Sequence, residues 1–239
     1  MREEMRSTCV DPSRIDFLAA MFLEAMKPYK EPGEEWTADE KELLPVFKSR
    51  LRGDLILDLA GGYGRVSKEL LDAGLRVVIL DLSWHSLKKA KESLGDNTSL
   101  DIVRGDMLLL PFRNCCFDGV WCSQAFEYVP PECRGWVLES VAGILRSKGL
   151  FFVNVATIGS ECGWPRYIAN YLYWRVIRGR PVKFGEYIYW LELKHYKDWH
   201  YHSLVPFPRR LEKFIHRYFK PLAEHGEKGE YAAYLLEKS

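Results

Sequence analysis

The sequence contains no long apolar run, and this absence sets the first limits on the protein's class. Its continuous apolar stretches are far shorter than the roughly 18 to 20 residues that cross a bilayer. The N-terminal stretch "MREEMRSTC" has no apolar segment behind its charges, as a signal peptide would have. We therefore expect no integral membrane segment and a cytoplasmic location. Hydrophobic residues make up 47% of the 239 residues, which is enough to build a sizeable core.

Cysteine is scarce, and neither sign of charge is in excess. The six cysteines, at positions 9, 115, 116, 122, 133 and 162, are too few for a disulfide framework and form no C-x-x-C pair with metal-ligand spacing. We predict six reduced thiols and no metal site. The 34 basic and 33 acidic side chains give a net charge of +1. This balance gives no global reason to expect a polyanionic partner, although it could hide a local basic patch.

Short apolar runs rich in β-branched residues alternate with helical patterns through the middle of the chain. The predicted strands are residues 55–59, 76–80, 99–103, 117–123 and 150–156. Between them, helical periodicity stops at Gly74, Gly95 and Gly149, where a glycine is the usual end of a helix. This alternation predicts an α/β fold with parallel strands joined by right-handed crossovers, in a doubly wound sheet with helices on both faces.

Three glycines, Gly61, Gly62 and Gly64, follow the first predicted strand within four positions. In a parallel α/β sheet, ligands bind outside the carboxyl ends of the strands, where the backbone has to come close to them. A helix beginning near Arg65 would add free N–H groups; the alternative is a tight turn without a ligand. The dinucleotide pattern G-x-G-x-x-G fails because Ser67 occupies the place of the third glycine, and no G-x-x-x-x-G-K-[ST] is present.

The segment Asp58-Leu-Ala-Gly-Gly-Tyr-Gly64 resembles the first motif of class I S-adenosylmethionine-dependent methyltransferases, D-x-G-x-G-x-G. Ala60 replaces the first glycine, and we expect it to keep a negative φ. Further motifs follow in order over residues 51–157, as in the branch known as methyltransferase type 11. The resemblance implies a Rossmann-like seven-stranded sheet of order 3-2-1-4-5-7-6, with "EYAAYLLEKS" as the antiparallel last strand. It also implies S-adenosyl-L-methionine as cofactor and S-adenosyl-L-homocysteine as product.

The resemblance also gives roles to side chains that follow the strands. The implied cofactor contacts in the first motif are Asp58, Ala60, Gly61, Gly62 and Gly64. Asp81, followed by Leu82, corresponds to the acid that accepts hydrogen bonds from two ribose hydroxyls. Asp106 corresponds to the acceptor of the adenine amino group, with Met107 against the adenine ring, and Ser123 completes the set. Asp81 could instead be a helix-start residue and Asp106 a plain turn residue.

A general base is required only if the methyl acceptor is still protonated at neutral pH, because the sulfonium donor already carries an activated methyl group. The candidates are Glu127 and Tyr128, just after the fourth strand, and His200 and His202 in "DWHYHS". Glu127 could also be a helix-start carboxylate. Each histidine could also be a surface or packing residue, so the sequence leaves the catalytic residues open.

The sequence predicts a single domain over residues 1–239, with an N-terminal helical extension over 1–50 and an aromatic-rich cap or lid insert over 159–202. Twelve of the 39 residues in 164–202 are Phe, Trp or Tyr, and seven Lys or Arg accompany three Asp or Glu.

Three interpretations of this insert stay open. Its aromatic side chains could bury one another, surround a large apolar or lipid-like acceptor, or stack with unpaired RNA bases. We expect a small or lipid-like acceptor rather than tRNA or other RNA. A catalytically idle homologue that keeps the fold as a binding protein is a further alternative, as is a dehydrogenase. The sequence leaves the oligomeric state open.

Overall fold

The computed structural model describes residues 14, 16–18, 36–193, 196–225 and 232–239. The strands are β1 (Leu55–Leu59), β2 (Arg76–Asp81), β3 (Leu100–Arg104), β4 (Phe117–Cys122), β5 (Leu145–Val155), β6 (Glu186–Leu193), β7 (Tyr196–Ser203), β8 (Phe219–His225) and β9 (Ala232–Lys238). The α-helices are α1 (Ala38–Arg50), α2 (Arg65–Asp72), α3 (Trp84–Leu94), α4 (Arg134–Ile144), α5 (Ile158–Glu161), α6 (Trp164–Leu172) and α7 (Pro208–Tyr218). Most of the predicted N-terminal extension, namely residues 1–13, 15 and 19–35, lies outside the described residues.

Seven strands form one sheet in the order β3-β2-β1-β4-β5-β9-β8. Strands β1 to β5 pair in parallel, while β9 runs antiparallel to both β5 and β8. Since β8 and β9 are the sixth and seventh strands of this sheet, the predicted order 3-2-1-4-5-7-6 with an antiparallel last strand is confirmed. The remaining two strands, β6 and β7, form a separate antiparallel hairpin.

The central strands of the sheet are buried on both faces, as in a parallel sheet covered by helices. All six residues of the central strand β4 are buried. In β1, Leu57 and Leu59 pack into one hydrophobic cluster and Ile56 into the other, which lies on the opposite face. The strand therefore reads as a continuous apolar run, interrupted only by the carboxylate of Asp58.

The boundary between α4 and β5 differs from the prediction. The helix ends at Ile144 rather than at Gly149, and the strand begins at Leu145, which pairs with Phe117. A Cβ on Gly149 would lie 2.9 Å from the carbonyl oxygen of Arg146 in β5 itself, and 3.2 Å from that of Asp118 in β4, where the register of β4 and β5 shifts. Gly149 thus permits a close approach of two strands, whereas the sequence pattern indicated the end of a helix.

The insert between β5 and α7 comprises α5, α6, a π-helical turn (Tyr173–Ile177) and the β6–β7 hairpin. Trp174, Ile188 and Tyr201 from this insert belong to the main hydrophobic cluster of the domain. The buried guanidinium of Arg14 donates hydrogen bonds to the carboxylates of Glu132, after β4, and Glu186, in β6. The insert is therefore packed onto the domain and also fastened by a buried ion pair.

The thiols follow the prediction in part. Cys115, Cys116, Cys122 and Cys162 are free, but Cys133 is disulfide-bonded, so the expectation of six reduced thiols is wrong. The described residues contain no group of three or more His, Cys, Asp or Glu side chains suited to a metal ion. Over the same residues, no helix combines the length and the apolar character needed to cross a bilayer.

Candidate active site

The turn between β1 and α2 is organised by the carboxylate of Asp58. Its Oδ2 accepts hydrogen bonds from the backbone N of Ser67, at 3.1 Å, and from Ser67 Oγ, at 2.6 Å. Burial raises the pKa of Asp58 to about 6. A Cβ on Gly61 would lie 2.7 Å from the Asp58 carboxyl carbon, so only glycine fits there. Asp58 therefore holds the turn in shape and faces α2.

Ala60 and Gly62 both adopt left-handed backbone conformations. Ala60 has φ = +58°, which contradicts the expected negative value. The turn has to reverse between Asp58 and α2, and this geometry prevails over the local preference of alanine. Gly62 has φ = +55°, and a Cβ built on it meets no atom within 4 Å. The backbone at Gly62 therefore borders open space.

The third glycine of the motif serves helix packing. Gly64 precedes the first residue of α2 and has φ = +78°. A Cβ on it would lie 2.8 Å from Leu94 Cδ1 in α3. Gly64 thus allows α2 and α3 to approach each other beside the turn.

Asp81, the last residue of β2, links the glycine turn to the start of α3. Its Oδ2 accepts a hydrogen bond from the backbone N of Gly62 at 2.9 Å, and its Oδ1 accepts one from Ser83 N at 2.8 Å. Burial raises the pKa of the Asp81 carboxyl. Next to it, the carbonyl of Leu82 accepts a hydrogen bond from Arg104 Nε. The structure therefore places Asp81 directly against the backbone of Gly62.

Asp106 and Met107 follow β3 at the same edge of the sheet. The Oδ1 of Asp106 accepts a hydrogen bond from the backbone N of Leu108 at 2.9 Å, which forms a local turn. Met107 packs partly buried against the main hydrophobic cluster. These contacts fit both the plain-turn interpretation and a ligand-facing role.

Ser123, at the end of β4, donates a hydrogen bond to Glu40, a residue that the sequence analysis missed. Glu40 lies in α1 and is fully buried. Its Oε1 also accepts a hydrogen bond from Arg65 Nη2 at 2.7 Å. The pattern Thr37-x-x-Glu40 is a capping-box signature that could have located the start of α1. Only the tertiary structure shows that this carboxylate reaches the carboxyl edge of the sheet.

Arg65 is the cation next to the glycine turn. Its guanidinium lies 4.2 Å from the ring centre of Trp36 and is held by Glu40. Its Nη1 is buried and has no hydrogen-bond partner among the described residues. This orphaned donor is suited to an anionic group of a ligand.

Three of the four candidate catalytic side chains lie together. Tyr128 Oη is 3.1 Å from His200 Nε2, and the ring of Tyr128 also contacts the ring of His202, with centroids 5.4 Å apart. Tyr189 packs against both histidines. We call Tyr128, Tyr189, His200 and His202 the ring cluster. Because Tyr128 follows β4, the insert brings both histidines to the carboxyl edge of the sheet.

Two carboxylates accompany this arrangement in different ways. Glu161, which follows β5, has Oε1 at 3.0 Å from His202 Nδ1. An ionised carboxylate only accepts hydrogen bonds, so Nδ1 of His202 is the donor in this contact. Glu127 is buried in the turn that contains Tyr128. The pKa of the Cys122 thiol is raised mainly by burial of the thiol and secondly by the negative charge of Glu127. Glu127 therefore lies near Cys122, the last residue of β4.

Comparison with known proteins agrees with this geometry. Residues 56–149 match the family model for a methyltransferase domain. A demethylmenaquinone methyltransferase from Renibacterium salmoninarum is 33% identical over 114 residues, which are 46% of this chain and 47% of that protein. The chain spans about half the length of the curated relatives it matches.

Solved structures extend the similarity over most of the chain. The PH0226 protein from Pyrococcus horikoshii has a TM-score of 0.67 at 19% identity, covering 91% of this chain and 99% of that one. The glycopeptide N-methyltransferase MtfA, solved with sinefungin, has a TM-score of 0.60 at 18% identity, covering 88% and 96%. At these identities the likeness establishes the fold. Residues 56–149 therefore form a methyltransferase domain, and the confirmed strand order is that of the class I S-adenosylmethionine-dependent methyltransferase fold.

Proposed function

We propose that this protein transfers a methyl group from S-adenosylmethionine to a small, apolar, ring-containing acceptor bound under the insert. The observation that carries this proposal is the ring cluster. It joins the turn after β4 to the hairpin of the insert, with ring centroids 4.9 to 5.9 Å apart. Aromatic side chains at such an edge offer flat apolar surfaces to a ring-shaped ligand.

The residues around the glycine turn fit the proposed methyl donor. The open space in front of Gly62 gives room for a ligand at the backbone. The orphaned Nη1 of Arg65 is a donor for a ligand carboxylate, and Asp81 and Asp106 offer acceptors for hydroxyl and amino groups. When bound, S-adenosylmethionine supplies an activated methyl group. The protein's own task is then to orient the two substrates and to exclude water.

The ring cluster also contains groups that could take a proton from the acceptor. In our proposal Tyr128 and His200 form a relay through their 3.1 Å contact. Glu161 fixes the tautomer of His202, which leaves Nε2 as a base. This arrangement would be needed for a hydroxyl or an acidic carbon but not for an acceptor that is already anionic. In this proposal Tyr128, His200 and His202 take part in removing the proton, and Glu127 is a further buried carboxylate near them.

The insert over 159–202 acts as a cap in this proposal. Its burial against the main cluster and the ion pair of Arg14 with Glu186 support a packed cover over the carboxyl edge. The relatives named demethylmenaquinone methyltransferases support an acceptor of the small-molecule kind.

The test is a transfer assay with donor labelled in its methyl group. The full chain is incubated separately with the reduced, hydroquinone form of a demethylmenaquinone and with bulk tRNA, and binding of S-adenosylhomocysteine is measured by calorimetry. We expect the protein to bind S-adenosylhomocysteine and the labelled methyl group to appear in the quinone fraction. Binding of the product without transfer to either acceptor would favour an idle homologue, and label in tRNA alone would replace the proposed acceptor class. Absence of binding to both S-adenosylmethionine and its product would overturn the proposal as a whole.

A further inference from the structure

The outward face of α6 and of the π-helical turn after it is apolar and exposed. Trp164, Ile168, Leu172 and Val176 recur every four residues, a spacing that places side chains on one side of a helix. Their exposed fractions are 41%, 39%, 50% and 69%, and Ile177 beside them is 74% exposed. The opposite side is buried, with Tyr167 at 0% and Trp174 at 8%. Among the described residues, nothing covers the outward face.

The same segment carries positive charge only. Residues 162–185 contain five Lys or Arg and no Asp or Glu, in a chain whose net charge is +1. The four arginines Arg166, Arg175, Arg178 and Arg180 are exposed. A local basic patch that the overall balance hides therefore surrounds the apolar face.

Two further exposed indole rings lie on the hairpin, next to the inner side of this segment. Trp190 and Trp199, on β6 and β7, are 50% and 40% exposed, and their rings lie 5.5 Å apart. The ring of Trp199 lies 5.1 Å from that of Trp174, at the inner side of the π-helical turn. Tryptophan is enriched where protein meets the membrane interface, because its ring has an apolar body and a polar N–H.

We propose that the outward face of residues 164–177 forms a docking surface for an anionic lipid bilayer. The segment would lie along the interface, with its apolar face in the headgroup region and its arginines against lipid phosphates. The positive charge of this segment favours an anionic bilayer over a second copy of the chain, and its aliphatic side chains favour a bilayer over RNA. A second copy would bring two positive surfaces together, and RNA would leave Ile168, Leu172, Val176 and Ile177 without a role because aliphatic side chains do not stack with bases. This inference does not depend on the acceptor proposed above.

The experiment uses the full chain and vesicle flotation. Vesicles of phosphatidylcholine alone are compared with vesicles of phosphatidylcholine mixed with phosphatidylglycerol. Val176→Ser/Ile177→Ser removes exposed apolar surface, and Arg175→Ala/Arg178→Ala removes two charges. The matched control, Lys88→Ala/Lys91→Ala, removes two charges from α3, where both lysines are exposed. Because the changed side chains are exposed, unfolding midpoints should match that of the unchanged protein.

We expect binding to the anionic vesicles only, weakened about tenfold or more by both test variants and unaffected by the lysine control. Failure to bind anionic vesicles, or equal binding to the neutral ones, would overturn the proposal. So would binding of a single-stranded oligouridylate that the test variants abolish while vesicles stay unbound. Light scattering provides the last check: a dimer that Val176→Ser/Ile177→Ser dissociates, without vesicle binding, would show that a second copy occupies this face.

Discussion

The phenol oxygen of Tyr128 lies 3.1 Å from Nε2 of His200, although 72 residues separate them in the chain. Tyr128 comes from the turn after β4 and His200 from the hairpin of the insert. The contact thus joins the sheet edge to its cap, at the position where we propose that the acceptor binds.

Removing this hydroxyl should affect the reaction more than the binding of the donor. For Tyr128→Phe we expect a loss of about tenfold or more in kcat, since proton transfer by a positioned group typically contributes about 10² to 10⁴. The affinity for S-adenosylhomocysteine should not change. The control is Tyr234→Phe, which removes a tyrosine hydroxyl that is hydrogen-bonded to Glu212. Tyr234 lies in β9 and Glu212 in α7, outside the ring cluster. An unchanged kcat in Tyr128→Phe would exclude the tyrosine from catalysis.

Asp81→Ala should weaken binding of S-adenosylhomocysteine by about 2 to 4 kcal/mol, because the variant lacks the carboxylate that we propose accepts hydrogen bonds from the two ribose hydroxyls. Calorimetry measures the change. Asp96→Ala is the matched control, since Asp96 is an exposed carboxylate paired with Lys91 after α3. Equal affinity in the two variants would refute the role given to Asp81.

Gly62→Val should abolish cofactor binding, because its branched side chain would fill the open space in front of the turn. The matched control is Gly74→Val. Gly74 also has a positive φ, +80°, and also faces open space, but it lies at the end of α2. Both variants carry similar backbone strain, so their thermal midpoints should fall together. Loss of binding in both would attribute the effect to folding rather than to the site.

Ala60→Gly should stabilise the protein by about 0.5 to 1 kcal/mol. A left-handed alanine costs about 1 to 2 kcal/mol, and this gain exceeds the extra entropy that glycine has in the unfolded chain. Urea unfolding gives the difference. Ala73→Gly serves as the comparison, because Ala73 has φ = −83° and should lose stability on the same change. A loss at both positions would contradict the strain at Ala60.

Asp58 should make stability fall as pH rises from about 4 to about 6. Its pKa in the folded protein is about 6, above the ordinary value of 3.8, so the native state binds more protons than the unfolded state in this window. Ionisation of the buried carboxyl then costs up to about 3 kcal/mol, at 1.36 kcal/mol for each pKa unit. Urea unfolding of the unchanged protein and of Asp58→Asn, each at pH 4.5 and pH 7, isolates the contribution of Asp58 to the pH dependence of the free energy of unfolding. Parallel pH profiles would contradict the raised pKa.

The sequence pattern was sufficient for the sheet because each parallel strand is a local apolar run followed by its own helix. It also located Asp81, since the acid directly ends a strand. It could not place Glu40 beside Ser123 or His200 beside Tyr128, because these contacts join segments 83 and 72 residues apart. It also failed at Gly149, where backbone carbonyls of its own strand and of the neighbouring strand leave no room for a Cβ, rather than a helix ending there.

The ion pair between Arg14 and Glu186 has a consequence for how the chain is made. The two residues are 172 positions apart, so Arg14 leaves the ribosome long before its partner is synthesised. Such a non-local contact forms late, because the intervening chain has to be ordered first. We therefore expect the insert to dock through this ion pair only after strands β1 to β5, which precede Glu186 in the chain, have been synthesised.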